Sequence, residues 1–229
     1  MPYKFNEKLR YTIMKATVTV PTHLSEITLR QYQEFLSAQD KIKNTHILQC
    51  KMIEIFCYVT PADALAIKAT DADRIVEKLT KVLNQKPKLV SSFKLGKIEF
   101  GFHPDIEDMT LGEYIDLDTH IGEWETIQAA MNVLYRPIKI RKAGKYKIND
   151  YNPDSKEAML QMPLDAVISS VFFLLNLGLD LSVAMSHYLQ EQEEKPQVQE
   201  QDLHNVGDGI KVFTDSLTEI LQSLKISQN

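Results

Sequence analysis

Hydrophobic positions recur at helical spacing through most of this chain and give way to strict alternation in a few short stretches. Leu29, Tyr32, Phe35 and Leu36 form an apolar stripe behind Thr28, and Gln31 stands three residues on, at capping-box spacing. Ile47, Leu48, Met52, Ile55 and Phe56 predict a second helix over Thr45 to Tyr58. Thr60-Pro61-Ala62-Asp63 opens a third, with proline at the first helical position. Thr70 with Asp73 predicts the start of a fourth, which carries Ile75, Leu79, Val82 and Leu83 inward and ends before Pro87. Alternation then takes over. Phe93-Lys94-Leu95 and Ile98-Glu99-Phe100 flank Gly96-Lys97, the spacing of a two-residue hairpin with glycine first. Ala16 to Val20 is β-branched and alternating, and reads as a short strand.

Thr110 with Glu113 repeats the capping-box spacing, and Leu111, Tyr114, Ile115 and Leu117 form the stripe of the helix it opens. A turn at Gly122 leads to a helix over Trp124 to Tyr135, which Pro137 stops. Pro137 to Ile148 reads as a second hairpin turning at Ala143-Gly144, Asp154 to Gln161 as a short helix, and Pro163 to Gln190 as a long apolar one. Its uncharged part, Ala166 to Leu179, is shorter than the roughly 20 residues a bilayer span needs and reads as a buried core helix. Residues 191–204 are polar and acidic, a linker by composition. Beyond it Ile210, Phe213, Leu217, Ile220 and Leu224 fall at 3-4-3-4 spacing, a narrow seam suited to docking on another helix. The pattern therefore predicts an α+β chain, mostly helical. Residues 1–190 form the main domain with two small β-hairpins, 191–204 a linker, and 205–229 a tethered amphipathic helix. Two helical hairpins, 25–61 and 107–137, align as an internal repeat through Thr28-Leu29-x-x-Tyr32 and Thr110-Leu111-x-x-Tyr114.

Charge and composition narrow the function. The net charge of -5 argues against general nucleic-acid binding. Residues 1–15 are charged, without the apolar run of a secretory signal. Cys50 and Cys57 lie about 10 Å apart along a helix, too far for a disulfide, and read as small hydrophobes. The histidines show no metal-ligand spacing, and there is no GxGxxG, GxxxxGK[ST] or GxSxG, so no cofactor or metal is expected. Asp116 and Asp118 form a superficial carboxylate pair that would serve a small hydrolase; the surrounding acids suit helix N-termini. The clearest charge feature is basic. Arg136, Lys139, Arg141, Lys142, Lys145 and Lys147 occur with no acid among them. Lys139, Arg141, Lys145 and Lys147 are expected on one hairpin face, opposite Ile138, Ile140, Tyr146 and Ile148. That face suits DNA phosphates or an acidic protein surface. The heptad helix is the second candidate contact, either with a neighbouring subunit or with its own chain.

The segments MTLGEYIDLD and MNVLYRPI, with SEITLRQYQEFL upstream, resemble a group of bacteriophage proteins encoded among virion genes, over roughly residues 20 to 190. VTPADALAIKATDADRIVEKL is similar to a pattern frequent in phage tail-assembly chaperones. The resemblance implies a non-enzymatic virion component or assembly protein, in the virion or in the host cytoplasm during assembly. It would bind portal, tail or capsid proteins, or copies of itself, and no membrane. It could sit in the head, at the portal–tail region or inside the particle as packaged protein. A tail-assembly chaperone absent from the mature particle is the variant reading, from which the two hairpins and the linker-plus-helix tail depart.

Overall fold

The computed structural model describes residues 18–192 and 200–223. Four helices open the fold: α1 (Leu29–Lys41), α2 (Thr45–Cys57), α3 (Pro61–Ala66) and α4 (Ala69–Leu83). The Thr28–Gln31 capping box forms in full, and Asn44 and Thr60 cap the next two helices through their side chains. Each such cap contributes about 1 kcal/mol. α4 differs from expectation. Lys68 carbonyl oxygen accepts from the amides of both Asp71 and Ala72, so the helix is already wound before Thr70 can cap it.

β1 (Ser92–Leu95) and β2 (Ile98–Phe102) form the first hairpin, and Gly96 takes the left-handed φ of +58° at the first turn position. α5 (Leu111–Ile121) and α6 (Ile127–Leu134) follow as a helical hairpin. α6 passes without a loop into β3 (Tyr135–Lys142), which pairs with β4 (Lys145–Ile148). The four strands form one antiparallel sheet in the order β1-β2-β3-β4. β3 changes partner along its length: Tyr135, Arg136 and Pro137 face β2, and residues from Ile138 onward face β4. Pro137 therefore lies within a strand and does not stop α6 directly. It biases Arg136 to extended backbone, and the pairing of 135–137 with 100–102 ends the helix at Leu134. The expected helix from Trp124 shortens accordingly, its first three residues forming a turn.

A 3-10 helix (Pro153–Gln161) leads to α7 (Leu164–Gln192), and α8 (Glu200–Ser223) returns along it. The starts of α1 and α7 are tied together. The Leu29 amide donates to Met162 O at 3.0 Å and the Leu164 amide donates to Ile27 O at 2.8 Å. α6 lies at the centre, with Ile127 and every residue from Ala129 to Leu134 buried. The first half of α7 completes the core, and its two serines are accounted for there. Ser169 Oγ accepts from the Val90 amide at 3.2 Å. Ser170 Oγ lies between Ala166 O (2.6 Å) and the Tyr135 hydroxyl (3.0 Å), which donates to Val90 O at 2.6 Å.

Several expectations need correction. Val18 to Val20 form no strand; Val18 and Val20 pack half-buried side chains on the core while Thr19 is exposed, and Ala16 and Thr17 lie outside the described residues. The 191–204 linker is helical at both ends, since α7 runs to Gln192 and α8 begins at Glu200; 193–199 lie outside the described residues, as do 1–15. The two aligned hairpins share a capping box but not an environment. Leu29 and Tyr32 are buried, whereas Leu111 is 75% exposed and Tyr114 54%. Pro61 opens a helix and Pro137 sits in a strand.

Candidate functional site

The second hairpin forms where expected, on a type I′-like turn in which Ala143 (φ 50°) and Gly144 (φ 78°) are both left-handed. Its faces are not those expected. The two-residue turn pairs Lys142 with Lys145, Arg141 with Tyr146 and Ile140 with Lys147, and a bulge between Ile138 and Ile140 then places Ile138 opposite Ile148. Cross-strand partners share a face. Lys142, Lys145, Lys147 and the 56%-exposed Ile140 therefore stand together. Arg141 lies on the other face, with its guanidinium 5.2 Å from the Tyr146 ring centre and Nη2 2.7 Å from Glu99 Oε1. Lys139 is exposed beside the bulge. Tyr146 anchors the hairpin to the sheet, its hydroxyl 2.7 Å from Phe102 O and 3.0 Å from Ser91 O. Its ring crosses Gly101 so closely that a Cβ there would lie 2.5 Å from Cε2. Glycine at 101 is what lets the hairpin lie down.

Arg136 does not belong to the basic surface. Its side chain is 8% exposed and its Nη1 lies 2.7 Å from Glu113 Oε1, whose side chain is 6% exposed. Burial pushes the Glu113 carboxyl up, but bonds from the Thr110 amide and hydroxyl, with the Arg136 charge, hold it below the usual carboxylate value. The pair also decides which side of α5 turns inward. Glu113, Leu117 and Ile121, each one turn apart, form the buried face. Leu111, Tyr114 and Ile115, expected in the core, are turned out to solvent. His103 is buried close by. Its Nδ1 accepts from the Asp105 amide at 3.3 Å, and burial, then the Arg136 charge, holds its pKa below the usual value.

The heptad helix packs on its own chain. Leu217 and Ile220 of α8 are buried in the common core, and Ile210 and Phe213 are half-buried against α7; Leu224 lies outside the described residues. α7 and α8 pack closely at Gly178, where a Cβ would lie 2.6 Å from Thr214 Cγ2. Beside this crossing, Tyr114, Leu117, Leu177, Leu181, Ile210 and Phe213 line an apolar groove of about 400 Å³ between α5, α7 and α8. Sequence reading did not find the groove, because it depends on the rotation of α5. Its one sequence signal is the apolar run of α7 beyond Leu174, where Leu179, Leu181 and Val183 are about half exposed. By length and composition Leu164–Ala184 could cross a membrane, and 44% of that window is buried inside the fold.

The remaining candidates are dispersed. Asp116 accepts from the Tyr151 hydroxyl at 2.7 Å, while Asp118 is exposed. Two residues apart on α5, they do not face each other. Among the described residues no group of three or more His, Cys, Asp or Glu could hold a metal ion. His120 is half-buried in the last turn of α5. Cys50 and Cys57 are free thiols, and burial pushes the Cys57 thiol up to about 11. Comparison with known protein families, with curated proteins and with solved structures finds no match to this chain.

Proposed function

We propose that this chain is a non-enzymatic bacteriophage virion component or assembly protein that acts through protein–protein contacts. The observation that carries this reading is the outward face of α5. Leu111, Tyr114 and Ile115 belong to the MTLGEYIDLD segment on which the phage resemblance rests, and they are exposed rather than buried. Core packing accounts for Leu117 and for the capping pair, but not for three large apolar side chains facing water. A partner surface accounts for them, with the tyrosine as a natural anchor. The partners are portal, tail or capsid proteins. The lysines of the second hairpin offer a contact for an acidic protein surface or DNA.

A second reading, a tail-assembly chaperone that leaves before the particle matures, draws on the groove between α5, α7 and α8. Open and apolar, it suits an amphipathic segment of a client protein. Affinity purification of the tagged chain from infected cells tests the shared claim. Recovery of phage structural proteins is expected, and their loss from the Leu111→Ser/Tyr114→Ser/Ile115→Ser variant. Recovery of none, or equal recovery by the variant, overturns it.

A further inference from the structure

We infer that copies of this chain associate head to tail, the basic hairpin tip of one seating in an acidic notch of the next. The notch lies between the end of α1, the α5–α6 turn and α8. Asp40, Glu123, Glu125 and Glu219 surround it, over a floor of Leu36, Trp124 and Ile220, and it encloses about 260 Å³. All four carboxylates belong to exposed residues, and none has an ion-pair partner among the described residues. The hairpin tip is its complement in charge. Lys142, Lys145 and Lys147 share one face with Ile140, project on a two-residue turn and likewise have no ion-pair partner among the described residues. The left-handed pair Ala143-Gly144 fixes the tip without further ordering on binding.

The two surfaces leave opposite ends of α6. The notch takes Glu123, Trp124 and Glu125 from the turn that precedes it, and β3 starts directly after its last residue. The helix is about 12 Å long and the strand carries the tip up to ~26 Å beyond it. A tip that serves the next copy's notch leaves its own notch open for the previous copy. Such a heterologous contact propagates into a ring or a filament. The apolar pair in the contact is Ile140 against the notch floor, and the lysines and carboxylates form its rim. Rim charges set register and association rate, and they are screened by salt. A contact made by one hairpin tip is weak and reversible, whereas a stable dimer buries ~800 Å² per partner. This inference does not depend on the phage setting.

Sedimentation velocity of the full chain, from about 1 µM to about 1 mM, tests it. Wild type is expected to form larger species as concentration rises at low salt and to dissociate as salt is added. K142E/K145E/K147E and E123K/E125K/E219K should each weaken association at least about tenfold, with unchanged circular dichroism and melting. Mixed in equal amounts they should associate again, because the acidic tip of the first meets the basic notch of the second and the reverse pairing also matches. Wild type that stays monomeric throughout overturns the inference, as does association that neither variant weakens or that mixing fails to restore. Monomeric wild type that instead binds duplex DNA through the same lysines overturns it in favour of a polyanion partner.

Discussion

Arg136→Met separates a structural arginine from a partner-binding one. The Arg136 and Glu113 side chains are 8% and 6% exposed and meet at 2.7 Å. Removing one member of a buried pair costs about 3–5 kcal/mol, because the other charge stays buried. The lower end applies here. The Thr110 amide still holds the second Glu113 oxygen at 2.7 Å, and methionine fills most of the vacated volume. A loss of about 3 kcal/mol follows, or roughly 9 °C in melting temperature for a chain of this size. Urea unfolding of Arg136→Met, Glu113→Gln and the double variant measures it. The double variant should lose about 2 kcal/mol less than the sum of the singles, since it leaves no orphan charge. The pH dependence has a fixed sign. Glu113 is held below its unfolded pKa, so its stabilisation is complete above the ordinary carboxylate range and is lost as pH falls through the folded value. The gap between wild type and Arg136→Met is therefore widest near neutrality and narrows in acid. A loss under about 1 kcal/mol, the size expected of a surface arginine, refutes the buried-pair account.

Tyr146→Phe removes the hydroxyl that reaches Phe102 O and Ser91 O, and urea unfolding should show a loss of about 1–2 kcal/mol. Gly101→Ala drives a methyl into the Tyr146 ring and should cost about 1–3 kcal/mol by the same assay. Gly178→Ala presses on Thr214 and should loosen α8 from α7. Hydrogen exchange in 210–220 should rise more than in α6, and uniform protection contradicts the packing. With a thiol reagent, half-buried Cys50 should react first and Cys57 only on unfolding, as its burial and raised pKa require; equal rates would contradict its place in the core.

Local chemistry was legible in the sequence where the next few residues settle it. The capping boxes at Thr28 and Thr110, the proline start at Pro61 and both hairpin turns formed as read, because each depends on neighbours within four residues. Two misreadings stand out, and the first arises from a contact distant in the chain. The apolar periodicity of α5 fits either Leu111-Tyr114-Ile115 or Leu117-Ile121 as the inner face, and Arg136, 23 residues downstream of Glu113, decides between them. The faces of the second hairpin follow from the register of its two-residue turn, which sets Arg141 opposite Tyr146 and not beside Lys145 and Lys147; the bulge at Lys139 moves only Ile138, opposite Ile148. The acidic notch was invisible for a related reason. Its carboxylates come from three parts of the chain that only the packing of α8 brings together. For the same reason the heptad seam of α8 read equally well as a docking surface and as a core face; Leu217 and Ile220 are core, while Ile210 and Phe213 are half-buried beside the groove.

The central claim, that the chain is part of a phage particle or of its assembly and works by contact, is tested most directly by quantitative mass spectrometry of purified particles. The account predicts the chain in every particle at a fixed copy number relative to portal, tail or capsid proteins. Its absence from particles, together with its absence from assembly intermediates of the same infection, contradicts the account.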